Sequence, residues 1–106
     1  MEKVIISPYA DNKLLELVDI LYNFEYFGFR VGAKYYVDEI YDFIYTIPSL
    51  KHKSATNQTL GSLYCKYKPN RNTTWYVFFD VENDVYLIKN IVNNHSKDYP
   101  LYISGF

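Results

Sequence analysis

The sequence predicts a single α+β domain of order β-α-α-β-β-β, an antiparallel sheet with a helical hairpin packed on one face. Three observations carry this. Two runs rich in β-branched and aromatic residues, Trp75–Val81 and Val85–Val92, flank the polar break Glu82-Asn83-Asp84, whose Asn and Asp tolerate positive φ; that is a strong hairpin signal. Two apolar stripes at helical spacing precede it. A short apolar run, Lys3-Val4-Ile5-Ile6-Ser7, opens the chain.

The opening run reads as a strand closed by Pro8, which cannot donate to a ladder. Asp11 is a suitable helix N-cap, and Leu14, Leu17, Val18, Leu21 and Phe24 recur behind it at helical spacing, giving a helix over about 11–25. Phe27-Gly28-Phe29 is the break. A second helix over about 30–46 carries the stripe Ala33, Val37, Ile40, Tyr41, Ile44 and Ile47, with Lys34, Asp38, Glu39 and Asp42 on its wet side. Pro48 ends it. Leu50 to Gly61 has no apolar period and reads as a loop. Ser62 to Lys68 alternates Leu63, Cys65 and Tyr67 against Tyr64, Lys66 and Lys68, the pattern of a half-buried strand. Pro69-Asn70-Arg71-Asn72 is the turn into the hairpin. There, Trp75, Val77, Phe79 and Val81 share one face and Tyr76 and Phe78 the other, so a central strand covered on at least part of each side is expected. After His95 the tail Ser96–Ile103 reads as a turn or short helix.

At 106 residues the chain has room for one core. The net charge of −1 hides a segregation: residues 1–50 hold eight acids and four bases, and residues 51–106 hold four acids and seven bases. No Asp or Glu occurs from Leu50 to Phe79, whereas Lys51, Lys53, Lys66, Lys68 and Arg71 do. Such a balance fits either a polyanion-facing surface or a solvated charge face. The single cysteine, Cys65, has no partner for an internal disulfide and reads as a small buried hydrophobe. No apolar run is long enough for a membrane span, and Met1-Glu2-Lys3 leads straight into a strand. A cytoplasmic protein is expected.

No spacing of His, Cys, Asp and Glu suggests a metal site or another cofactor site, and no glycine-rich phosphate loop is present. What the residues do offer is a basic strand set among aromatic rings, with a histidine at its rim. Lysines and an arginine among tyrosines suit single-stranded RNA: charge for phosphates, flat rings for bases. His95 titrates near neutral pH when unperturbed, as proton transfer requires, or is a strand-end residue bonded to backbone. His52, between two lysines, reads as surface.

The element order, the loop Leu50-Lys51-His52-Lys53, the phrase Trp75-Tyr76-Val77-Phe78-Phe79 and the run Leu87–His95 together resemble the RelE/ParE superfamily of toxins from bacterial type II toxin–antitoxin systems. The likeness covers essentially the whole chain, 1–106. It implies a microbial-ribonuclease-like sheet and one of two activities. The RelE branch cleaves mRNA in the ribosomal A site without metal; the ParE branch inhibits DNA gyrase. A cognate antitoxin wraps the toxin in both, in a hetero-oligomer. RelE-like nucleases usually have an arginine where this sequence has Tyr76, and a second basic residue that falls here at Asn94 or His95. Lys66 and Lys68 match the family's basic strand, and some relatives use a late histidine with an adjacent aromatic, here His95 with Tyr99. The resemblance therefore implies an mRNA endonuclease in which His95 moves protons. Lys66, Lys68 and Arg71 hold phosphate charge, Tyr76 or Tyr99 stacks or orients, and Lys51, Lys53 and Asn94 contact substrate. A gyrase inhibitor, or a toxin fold kept for antitoxin binding, stays open beside it.

Overall fold

The computed structural model describes residues 2–23, 30–55, 60–71 and 73–94. Strand β1 (Lys3–Ile6) is followed by helices α1 (Pro8–Asn23) and α2 (Arg30–Thr46), a 3-10 turn at Ile47–Ser49, and strands β2 (Lys53–Ser54), β3 (Leu63–Asn70), β4 (Thr73–Glu82) and β5 (Val85–Asn93). They form one five-stranded sheet in the order β1-β5-β4-β3-β2. The fold is mixed α+β in the expected order, with the addition of β2.

The hairpin is where the sequence places it. Asn83 and Asp84 have φ of 52° and 65°, the two positive values that a tight turn matching the strand twist requires. β4 pairs antiparallel with β5 and with β3, and β2 pairs antiparallel with β3. The sheet is not antiparallel throughout: β1 runs parallel to β5, Lys3 opposite Val85 and Ile6 opposite Ile88. The helical hairpin between β1 and the other strands frees β1 from the tight-turn geometry that forces neighbours to run antiparallel.

Helix α1 begins three residues earlier than expected. Ser7 caps it, its Oγ accepting the Ala10 amide at 3.2 Å, and Pro8 takes the first helical position, where its missing N–H costs nothing. Asp11, freed from capping, accepts the Tyr41 hydroxyl proton at 2.6 Å and ties α1 to α2. Burial and this acceptor raise the Tyr41 pKa, so the phenol stays neutral and the bond persists. Helix α2 matches its expected bounds and buries Ala33, Val37, Ile40 and Ile44, and the 3-10 turn that follows buries Ile47.

Both faces of β4 are covered. Trp75, Val77 and Phe79 join Cys65, Tyr86, Ile88 and Ile91 beneath the helices, while Tyr76 and Phe78 pack with Ala55, Leu60, Tyr64 and Val92 on the opposite face. The Trp75 indole N–H donates to the Tyr36 hydroxyl at 3.0 Å, so the largest ring in the core leaves no buried donor unmet.

A bulge in β5 explains its polar residue. Phe79 faces Ile88 but Phe78 faces Asn90, so Lys89 is an extra residue in the ladder. Without it Asn90 would point under the helices. With it Ile91 does, and Asn90 turns to the strand's outer edge. There its Oδ1 accepts the Ile91 amide at 2.8 Å and the Lys13 ammonium at 3.0 Å. Lys13 also donates to the Ile91 carbonyl at 2.6 Å, and Ser7 Oγ to the Lys89 carbonyl at 3.3 Å. Helix α1 thus satisfies the edge of β5 where β1 ends. No described helix is long and apolar enough to cross a membrane.

Candidate nucleic-acid interface

Strand alternation decides which lysines face outward. Leu63, Cys65 and Tyr67 turn under the helices, so Tyr64 and Lys66 turn to the far face, while Lys68 is exposed where the β3–β4 register shifts between Tyr67 and Asn70. Lys53 stands directly opposite Tyr64 and shares that face. Lys66 stands opposite Tyr76, its ammonium 6.0 Å from the ring centroid. Lys51, Lys53, Lys66, Lys68 and Arg71 are all solvent-exposed, and none forms an ion pair among the described residues.

Tyr76 is not an open stacking platform. It is 7 % exposed, with Tyr64 tilted against it at 6.0 Å between ring centroids. The pair forms a covered floor, and the Lys66 ammonium stands over its Tyr76 side. Ala55 and Leu60 complete that cover, and no sequence period announced them, because they belong to the stretch that reads as loop.

The turn carrying Arg71 and the end of β5 lie at one end of the sheet. Asn93 faces Trp75, and Asn94 is fixed to the start of β4 by two bonds. Its amide donates to the Thr74 carbonyl at 3.1 Å, and its Oδ1 accepts the Thr74 amide at 3.1 Å. The Asn94 side-chain oxygen is therefore committed to backbone. His95 is the next residue in sequence. Its position, and that of Tyr99, lies outside the described residues.

The nearest acid in sequence, Asp80, is locally neutralised. Its Oδ1 accepts the Ser62 amide at 2.8 Å and hydroxyl at 2.7 Å, and its Oδ2 lies 3.3 Å from the Lys89 ammonium. The Ser62 bonds, with Lys89 assisting, hold this carboxyl below its ordinary 3.8. Cys65 is no nucleophile at this site. Burial pushes its thiol up to about 11, and its Sγ donates to the Lys51 carbonyl at 3.5 Å.

His52 is where the sequence reading went astray. It is half-buried, and its ring meets Phe79 and Tyr86 edge-on at centroid distances of 5.1 and 5.5 Å. Its Nε2 lies 2.9 Å from the Ile47 carbonyl, which only accepts, so Nε2 carries the proton. The Lys-His-Lys alternation held the signal: if both lysines are wet, the residue between them turns inward.

Among the described residues no group of three or more His, Cys, Asp or Glu is placed to hold a metal ion. Comparison with protein-family models, with curated proteins and with solved structures finds no match to this chain.

Proposed function

We propose that the protein is a toxin of the RelE/ParE kind, a metal-independent, ribosome-dependent mRNA endonuclease acting in the cytoplasm. What supports this reading is the set of exposed cations Lys53 and Lys66 on one face of the sheet and Lys68 and Arg71 toward one end of it, none ion-paired among the described residues, in a stretch where no acid intervenes in sequence. A flat, cationic strand face above a covered aromatic floor suits an extended single strand better than a groove-shaped duplex reader.

The chemistry asked of it is attack of an RNA 2′-oxygen on the adjacent phosphorus. The 2′-oxygen gives up its proton, the P–O5′ bond breaks, and the leaving 5′-oxygen gains a proton. His95 serves the proton transfers, and Lys66, Lys68 and Arg71 offset the charge that builds on the phosphoryl oxygens. The ribosome supplies substrate positioning, so a sparse site suffices. A cognate antitoxin with an acidic or amphipathic segment complements the same cations, and its binding makes the hetero-oligomer inactive.

One observation favours the gyrase-inhibitor branch: where nucleases of this kind carry an arginine, Tyr76 is buried and brings no cation. Mapping RNA ends after induction in cells separates the two activities. Codon-registered cuts on translated mRNA, lost in His95→Ala with the fold retained, are the expected result. Intact mRNA accompanied by an SOS response and cleaved DNA–gyrase complexes would assign the protein to the inhibitor branch. Intact mRNA and intact DNA would leave the fold with antitoxin binding alone.

A further inference from the structure

We propose that His52 is a positioning residue for RNA binding, one that holds Lys51 and Lys53 in the cationic surface beside β3. This rests on the functional reading above and adds a residue to it.

The segment from Leu50 to Ala55 has little strand of its own, since β2 is two residues long. A two-residue edge strand with one exposed lysine in it and another two residues before it should fray, because few of its backbone bonds are buried and neither lysine head is. Its hold on the domain comes from elsewhere. The Leu50 amide donates to the Ile47 carbonyl at 3.0 Å, and His52 Nε2–H donates to the same oxygen at 2.9 Å. One carbonyl with two lone pairs thereby closes both the 3-10 turn and the strand entry. The imidazole also lies edge-on to Phe79 in β4 and Tyr86 in β5, so the bond is anchored to the two central strands. Further along, Cys65 Sγ donates to the Lys51 carbonyl, and the Ala55 amide donates to the Ser62 carbonyl at 2.9 Å.

The consequence for the lysines follows from strand geometry. With His52 turned under the 3-10 turn, its neighbours Lys51 and Lys53 turn away from the core, and Lys53 comes to share the face of Tyr64 and Lys66. Fixing two flexible cations in advance lowers the ordering cost when a phosphate chain binds. Releasing the segment would leave the charges present but unplaced.

Salt titration of binding to a short single-stranded oligoribonucleotide tests this, because log K against log salt loses about 0.7 of slope for each phosphate contact removed. His52→Phe keeps an aromatic ring against Phe79 and Tyr86 but removes the bond to Ile47, so folding is retained. It should lower the slope by about as much as Lys51→Ala with Lys53→Ala, roughly 1.4 for two contacts. In that double-alanine background His52→Phe should change nothing further. His52→Gln, which returns an amide donor near the position of Nε2, should restore the slope. Amide hydrogen exchange at Ala55 should quicken in His52→Phe and return to normal in His52→Gln. A wild-type slope in His52→Phe, or a loss that adds to that of the lysine variants, overturns the positioning role. If the wild-type protein binds no RNA and the lysine variants match it, the functional reading fails and the proposal with it.

Discussion

Asp80 shows how a single carboxylate knits two strands together. It reaches from β4 to both the amide and the hydroxyl of Ser62, at the entry to β3, and takes a cation from the bulge residue Lys89. Because these partners hold its carboxyl below 3.8, the folded state keeps it ionised where the unfolded chain would begin to bind a proton. The sign follows: the stabilisation is complete above that ordinary value and is lost as pH falls from it through the lower folded-state value. Asp80→Asn should therefore unfold at lower urea than wild type at pH 7, and the gap should narrow at an acid pH below that ordinary value. An equal gap at both values would show that the carboxylate's charge contributes nothing. At this scale the sequence was uneven. The outward lysines of β3 were legible because Leu63, Cys65 and Tyr67 fix the opposite parity. The burial of Tyr76 was not, since its cover comes from Ala55 and Leu60, distant in sequence and without a pattern. Ser7 lost to Asp11 as the expected cap because Pro8 reads first as a strand stop and only second as a helix start.

Among the elements, the two helices and the β4–β5 hairpin were legible because each repeats a period over many residues, and Asn83-Asp84 states its turn outright. Three features left no such mark. β2 is too short to show a period. The parallel pairing of β1 with β5 depends on where a two-helix connection returns the chain, which alternation does not encode. The bulge at Lys89 shifts parity within one strand, and only the misplaced polarity of Asn90 hints at it. The approach of the 60–62 segment to β4 is a fourth, and it is sterically sharp. A Cβ built on Gly61 would stand 2.8 Å from the Phe79 backbone nitrogen and 3.2 Å from the Phe78 carbonyl carbon. Backbone atoms in a central strand cannot swing aside, so Gly61→Ala should cost about 1–3 kcal/mol, as overpacking does. Thermal melting checks it, with a fall of several degrees expected. An unchanged melting temperature would mean that this crossing is looser than drawn.

For the whole molecule, the acids of α2 and the bases of the sheet are set apart. Asp38, Glu39 and Asp42 are exposed on the helix, and Lys53, Lys66, Lys68 and Arg71 on the opposite side of the sheet or its end. A near-neutral protein can thus present a local cationic field, and that field carries the proposal that it acts on RNA. The most direct measurement is cleavage of a defined mRNA on purified ribosomes by the purified protein, beside a variant with Lys66→Glu and Lys68→Glu that melts like wild type. The account predicts codon-registered cuts by the wild-type protein, lost in the charge-reversed variant together with ribosome binding. Intact mRNA with the wild-type protein, or cutting that survives the charge reversal, would contradict it.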